Sequence, residues 1–196
     1  MIPAILRKLG SAPSWVISRV MARVWLSACD EVGRDVQTFF HPHIENRGRI
    51  EIGNNVRLNS NWAPLELVTA PGGLITIGDG VYINYGTLIS AHHRISIGSK
   101  VMVGNYSIIS DTEIPGISEP AGGPRREARS VEIGDGAWLA ARVTVLPGAR
   151  IGAGAVIAAG SVVAGEIPAG AIAGGIPARV LRLAPPPEPD PARAER

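Results

Sequence analysis

The side chains able to move protons at neutral pH include four histidines, in two pairs: His41-x-His43 and His92-His93. An unperturbed imidazole titrates at about 6.5, so it can take a proton from a hydroxyl or, as the neutral ring, bind a metal. Alternate residues of a strand share a face, which invites a zinc reading for His41 and His43. The adjacent pair His92-His93 does not complete a three-histidine set, and no metal site is expected. Two carboxylates, Asp111 and Glu113, stand in the stretch Asp111-Thr-Glu-Ile-Pro115-Gly-Ile. Cys29 is alone, which excludes a disulfide framework and a thiolate metal site and fits a reducing cytoplasm.

The elements that must position these groups have an unusual composition. The chain of 196 residues holds 24 Gly and 16 Pro but only four Trp, three Tyr and two Phe. A core must therefore be made of small aliphatics. Nineteen basic residues against seventeen acidic give a net charge of +2, with the basic ones scattered apart from Arg125, Arg126 and Arg129. No nucleic-acid partner is expected from that balance. The apolar stretch after Arg7 and Lys8 is broken by Gly10, Ser11, Pro13, Arg19 and Arg23, so neither a signal peptide nor a transmembrane segment is expected.

The pair Ile-Gly recurs at Ile52, Ile77, Ile97, Ile133 and Ile151. From Ile133 the chain falls into hexads headed by Ile133, Leu139, Val145, Ile151, Ile157 and Val163, and the same frame fits Ile77, Ile83, Ile89, Ile97, Val103 and Ile109. A period of six belongs to neither a helix nor an ordinary strand, so the chain must bend once per hexad. Three hexads then make one turn of a triangular prism, an all-β parallel β-helix in which equivalent Ile and Val side chains stack in columns. Stretches such as Gly53-Asn54-Asn55, Gly78-Asp79-Gly80 and Gly134-Asp135-Gly136 supply corners that tolerate positive φ. Seven residues beyond the period lie between Ile52 and Ile77, assigned to a bulge around Ala70-Pro71-Gly72-Gly73. Two more lie near Ala91 to Arg94, and a full extra turn follows Ile109 as an extruded loop over 111–130.

Three segments result: an N-terminal helical appendage over 1–44, a β-helix over 45–182, and a disordered proline-rich tail over 183–196. Within the appendage, Ile17, Val20, Met21, Val24 and Ala28 have helical spacing. This predicts an amphipathic helix on the open end of the prism, with membrane-surface attachment as the alternative because Trp15, Trp25 and the basic residues suit it.

The stretches Val131-Glu-Ile-Gly-Asp-Gly-Ala-Trp138-Leu-Ala-Ala141, Ile157-Ala-Ala-Gly-Ser161-Val-Val and Gly174-Gly-Ile-Pro-Ala-Arg179-Val-Leu-Arg182 resemble those of the hexapeptide-repeat acyltransferases, above all the sugar and xenobiotic O-acetyltransferases. The resemblance covers roughly residues 45–182. It implies a left-handed coil, a homotrimer with the coenzyme in grooves between prisms, and acetyl-CoA as co-substrate. It further implies acetylation of a sugar or related hydroxyl in polysaccharide or secondary-metabolite synthesis. Asn84 matches a residue that meets the acceptor or holds the catalytic loop, Trp138 matches one that walls the acceptor or pantetheine site, and Asp111 lies where a residue could bind the acceptor. Ala141, Ala159, Gly160 and Ser161 match the pantetheine groove; Arg179 and Arg182 match residues that meet the nucleotide phosphates. The family's Thr-Lys pair falls at Ala164-Gly165.

In such enzymes a loop histidine deprotonates the acceptor. Its place is taken here by Ile114 and Pro115. Three readings follow. His92, at a position where galactoside acetyltransferases carry an acceptor-binding Asp, has become the base. Alternatively the protein only orients its substrates, with Asp111, Glu113 or the acceptor itself supplying the base. In the third, the chain is a non-catalytic scaffold.

Overall fold

The computed structural model describes residues 14–112 and 128–183. The helix α1 (Ser14–Trp25) precedes a solenoid of about six turns, each built from three short strands. Sheet I stacks β1 (Glu31–Val32), β4 (Arg49–Ile52), β7 (Leu74–Ile77), β10 (Arg94–Ile97), β13 (Val131–Ile133), β16 (Arg150–Ile151) and β19 (Glu166–Ile167). Sheet II stacks β2 (Gln37–Phe39), β5 (Arg57–Asn59), β8 (Tyr82–Ile83), β11 (Met102–Val103), β14 (Trp138–Leu139), β17 (Val156–Ile157) and β20 (Ala171–Gly175), and ends in β21 (Ala178–Leu183). Sheet III stacks β3 (His43–Asn46), β6 (Glu66–Thr69), β9 (Leu88–Ala91), β12 (Ile108–Ser110), β15 (Thr144–Val145) and β18 (Val162–Val163). Neighbours pair in parallel throughout, except that β21 folds back antiparallel on β20. The coil is the expected left-handed β-helix.

Register explains the hexads. Ile52, Ile77, Ile97, Ile133, Ile151 and Ile167 follow one another down sheet I. Leu58, Ile83, Val103, Leu139, Ile157 and Ala173 do so down sheet II. All are buried. Each large member of these columns contributes roughly 1.5 to 3 kcal/mol by burial, and three converging columns leave no room for rings. Among the described residues no aromatic side chain appears in the buried core.

Two expectations change. The coil begins at Glu31, a turn before the expected boundary at residue 45, because β1, β2 and β3 already pair with β4, β5 and β6. That turn is hard to read because its inward positions include Thr38 and half-buried Ile44 rather than a run of Ile and Val. The seven extra residues between Ile52 and Ile77 are shared by two corners, one at 60–65 and one at 70–73, rather than forming a single bulge.

The helix takes its expected place on the open end. Met21 and Ala22, with Leu26 just beyond the helix, are buried, the helix lies along β2, and Arg19 reaches Asp35 at 3.3 Å. The apolar face formed by Met21 and Ala22 is thus spent on the prism. Among the described residues no helix is long and apolar enough to cross a membrane. Residues 113–127, most of the extruded loop, and the tail from 184 lie outside the described residues.

Candidate active site

A three-sided coil has three kinds of corner, and the expected site residues fall on two of them. His92 and His93 form the corner between sheets III and I, joining β9 to β10. Asn84 lies on the corner between sheets II and III, after β8; Ala141, Ala159 and Gly160 lie on the same edge further down. Trp138 points outward from β14 and is 47% exposed.

At the III–I corner the strand β12 of the next turn ends in Ser110, and Asp111 turns inward beneath the histidine pair. The Asp111 side chain is fully buried. Its Oδ1 accepts the His92 N–H at 2.8 Å, and its Oδ2 accepts the N–H groups of His93 and Arg94, each at 2.7 Å. Hydrogen bonds to an ionised acceptor are short and strong, and here one carboxylate satisfies three backbone donors in succession. An Asp111 contact with the acceptor is therefore corrected: burial and three backbone partners turn its carboxylate to shaping the corner. Thr112 Oγ1 lies 3.2 Å from His92 Nδ1. The Ser110 hydroxyl donates to the Thr112 carbonyl at 2.7 Å, and the Arg129 N–H donates to the Asp111 carbonyl at 2.9 Å, so both feet of the extruded loop are tied. His92 is half-buried and His93 exposed.

The II–III corner is made differently. Its turns repeat a backbone ladder in which Tyr106 N–H donates to the Tyr85 carbonyl, Arg142 N–H to Asn105 and Gly160 N–H to Ala141. Ala140 and Ala158 follow the inward residues Leu139 and Ile157 on successive turns and so face outward, whereas Gly174, at the same place one turn on, is buried. A Cβ at Gly174 would come 3.0 Å from the Ala158 Cβ, so this strip is already as wide as its neighbours permit. Gly160, at φ 70°, has open space where a side chain would be. A strip of small residues gives a channel its low walls and suits the approach of an extended amide-bearing arm. Ser161 is the second correction. It is 1% exposed, and its hydroxyl accepts the Gly175 N–H at 3.1 Å, so it holds the β20–β21 hairpin instead of lining the channel. Arg179 and Arg182 are exposed on β21 beside that channel.

Asn84 accepts from Asn59 Nδ2 at 3.0 Å and from the Tyr85 N–H at 2.9 Å through its Oδ1, which leaves its own Nδ2 without a partner among the described residues. Asn59 Nδ2 also reaches the Tyr82 hydroxyl at 3.3 Å. This amide and phenol cluster was missed in the sequence, where Asn59 and Tyr82 carry no hexad signal of their own. His41 packs edge-on against Trp25 with ring centroids 5.7 Å apart, and no group of three metal-ligating side chains occurs among the described residues.

Residues 130–165 match the family described as bacterial transferase hexapeptide (six repeats). A protein named as a lipopolysaccharide biosynthesis O-acetyl transferase, WbbJ of Escherichia coli (strain K12), is 32% identical over 152 residues, covering 73% of this chain and 76% of that one. The chain belongs to the hexapeptide-repeat acetyltransferases. The galactoside O-acetyltransferase of Escherichia coli (strain K12) is 31% identical over 121 residues, covering 62% of this chain and 60% of that one. Among solved structures, a galactoside acetyltransferase in complex with coenzyme A superposes with a TM-score of 0.59 at 25% identity, covering 91% of this chain and 76% of that one. The N-acyltransferase AntD from Bacillus cereus shares the fold with a TM-score of 0.64 at 20% identity, covering 84% and 87%. Membership makes this chain an acyltransferase that uses coenzyme A thioesters, and the small-residue channel fits that co-substrate.

Proposed function

We propose that the protein transfers an acetyl group from acetyl-CoA to a hydroxyl of a sugar or related acceptor, in cytoplasmic polysaccharide or secondary-metabolite synthesis, with His92 as general base. The observation that carries this reading is the clamped His92 corner, which gives an imidazole a defined place where the usual loop histidine is replaced. Acetyl-CoA supplies the thioester. His92 Nε2 takes the proton of the acceptor hydroxyl as that oxygen bonds to the acyl carbon, the carbon–sulfur bond breaks, and the proton passes to the departing sulfur. Ala141, Ala159 and Gly160 border the channel for the pantetheine arm, Arg179 and Arg182 meet the phosphates, and Asn84 and Trp138 face the acceptor.

The III–I corner lies across the prism from sheet II, so within one chain His92 cannot share a site with Trp138 and the channel. A homotrimer resolves this if the III–I corner of one copy faces the II–III corner of the next. The outward columns support it. Sheet II presents Tyr82, Met102, Trp138, Val156 and Ile172 in register, and sheet III presents Leu88 and Ile108, whereas sheet I presents Glu132, Arg150 and Glu166. Apolar columns call for a partner; alternating charges suit water.

The test is coenzyme release across a panel of sugars, wild type against His92→Ala. A loss of about 100-fold or more in kcat, with acetyl-CoA affinity retained, is expected for a general base. Unchanged turnover removes His92 from the mechanism. Coenzyme binding without turnover on any acceptor favours a scaffold.

A further inference from the structure

A histidine serves as a base only in one of its two neutral tautomers, and the proton on the other ring nitrogen needs a partner to keep it there. In the catalytic reading of His92 proposed above, on which this inference rests, the working nitrogen is Nε2, so Nδ1 must carry the proton. Among the described residues the ring has one hydrogen-bonding neighbour, Thr112 Oγ1, 3.2 Å from Nδ1. Thr112 is itself held. Its carbonyl accepts from the Ser110 hydroxyl at 2.7 Å, and its N–H lies 3.3 Å from the same oxygen. The residue between them, Asp111, grips the His92 backbone from below. Ser110, Asp111 and Thr112 thus fix the backbone and the ring of a residue nineteen positions earlier.

We propose that Thr112 is a positioning residue for His92, its hydroxyl oxygen accepting the Nδ1–H proton so that the Nε2 lone pair faces outward as the base. A serine or threonine hydroxyl both donates and accepts, so the opposite polarity is chemically available: Thr112 donating to Nδ1 would leave the proton on Nε2 and disable the base. The polarity is what an experiment can decide. The arrangement compensates for Ile114 and Pro115. The imidazole is supplied one turn earlier, and the foot of the loop orients it.

The test combines nitrogen NMR on protein labelled at histidine with steady-state kinetics on Thr112→Val and Thr112→Ser, the His92 resonances being identified by their loss in His92→Ala. In the wild type the expected form is protonated at Nδ1 and bare at Nε2. Thr112→Val, which keeps the shape and removes the hydroxyl, should convert that signal to a mixture of tautomers. It should lower kcat about tenfold, the worth of one hydrogen bond, while leaving KM for acetyl-CoA unchanged. Thr112→Ser should restore both the signal and the rate. An Nε2–H tautomer in the wild type, or an unaltered spectrum in Thr112→Val, overturns the inference even if His92→Ala is inactive. Full turnover in His92→Ala instead removes the base itself, and so is told apart from a failure of the positioning. Should Thr112→Val not fold, the wild-type tautomer and the Thr112→Ser rate still decide.

Discussion

The two corners that carry the proposed site are held by different means. At the II–III edge the corners from β8 onward repeat one another, and main-chain groups bond to main-chain groups with Gly86, Tyr106, Arg142 and Gly160 in the left-handed region. At the III–I edge the connections run to two residues at 47–48, four at 70–73, two at 92–93 and twenty at 111–130. Corners of unequal length stack main chain on main chain only in part, and side chains supply the remaining acceptors. Asn46 and Thr69 tie the corner at 47–48, and Asp111 ties the corner at 92–94. A backbone ladder tolerates any small outward residue and makes a uniform channel. A corner clamped by side chains makes a single, individual place for one imidazole.

The sharpest way to break this contrast is Asp111→Ala. Three partly buried N–H groups lose their acceptor, and at about 1 to 3 kcal/mol for a fully unsatisfied group the loss should reach about 3 kcal/mol. Urea denaturation should show it as a lower midpoint with an unchanged slope. A loss below 1 kcal/mol would mean that water replaces the carboxylate freely.

At the other edge Ala159→Trp should leave stability near wild type, because Ala159 is exposed and outside the core. It should weaken acetyl-CoA binding by tenfold or more, about 1.4 kcal/mol, by filling the channel. Calorimetry checks the affinity. Assayed at acetyl-CoA too dilute for Ala159→Trp to bind, a mixed and refolded pair of Ala159→Trp and His92→Ala should regain turnover that neither variant shows alone if the two corners meet between copies, and no recovery would sink the shared site.

The smallest effect concerns Asp30, a second carboxylate on the III–I edge. Its backbone bond to the Ile50 N–H, with help from Asn46 and Arg49, holds its carboxyl below the usual range. The sign follows: a depressed carboxyl stabilises the fold above its unfolded value of about 3.9, and that stability is lost as pH falls through the folded value. Asp30→Asn should flatten the acid limb of a thermal-melt series between about pH 5 and 3 and leave the neutral region little changed. Equal acid limbs would show that this carboxylate carries nothing.

Particular residues show how far the sequence could be read. Ile133 to Val163 announced the prism because each inward position sees the same environment in every turn, so selection for size repeats at a fixed interval. The corner placement of Ala141, Ala159 and Gly160 was legible for the same reason, since the hexads fix where the bends fall. Asp111 and Ser161 were recognised as polar residues in telling places, but the side to which each turned was not. Asp111 reaches residues seventeen to nineteen positions back and Ser161 reaches Gly175, and neither contact has a local signature. Thr112 gave no signal, since its partner is twenty positions away.

The amino-acid sequence by itself determined the coil, its columns of Ile and Val and the place after Ile109 where the hexads lapse, because these follow from periodicity and its interruption. Only the tertiary structure decided that the coil starts at Glu31, that His92 and the small-residue channel occupy different edges, and that Asp111 faces inward. The physical reason is that stacking brings together residues about a turn apart, and the irregular corners alter which residues meet. A hexad specifies where a side chain points; the accumulated insertions specify what it meets there.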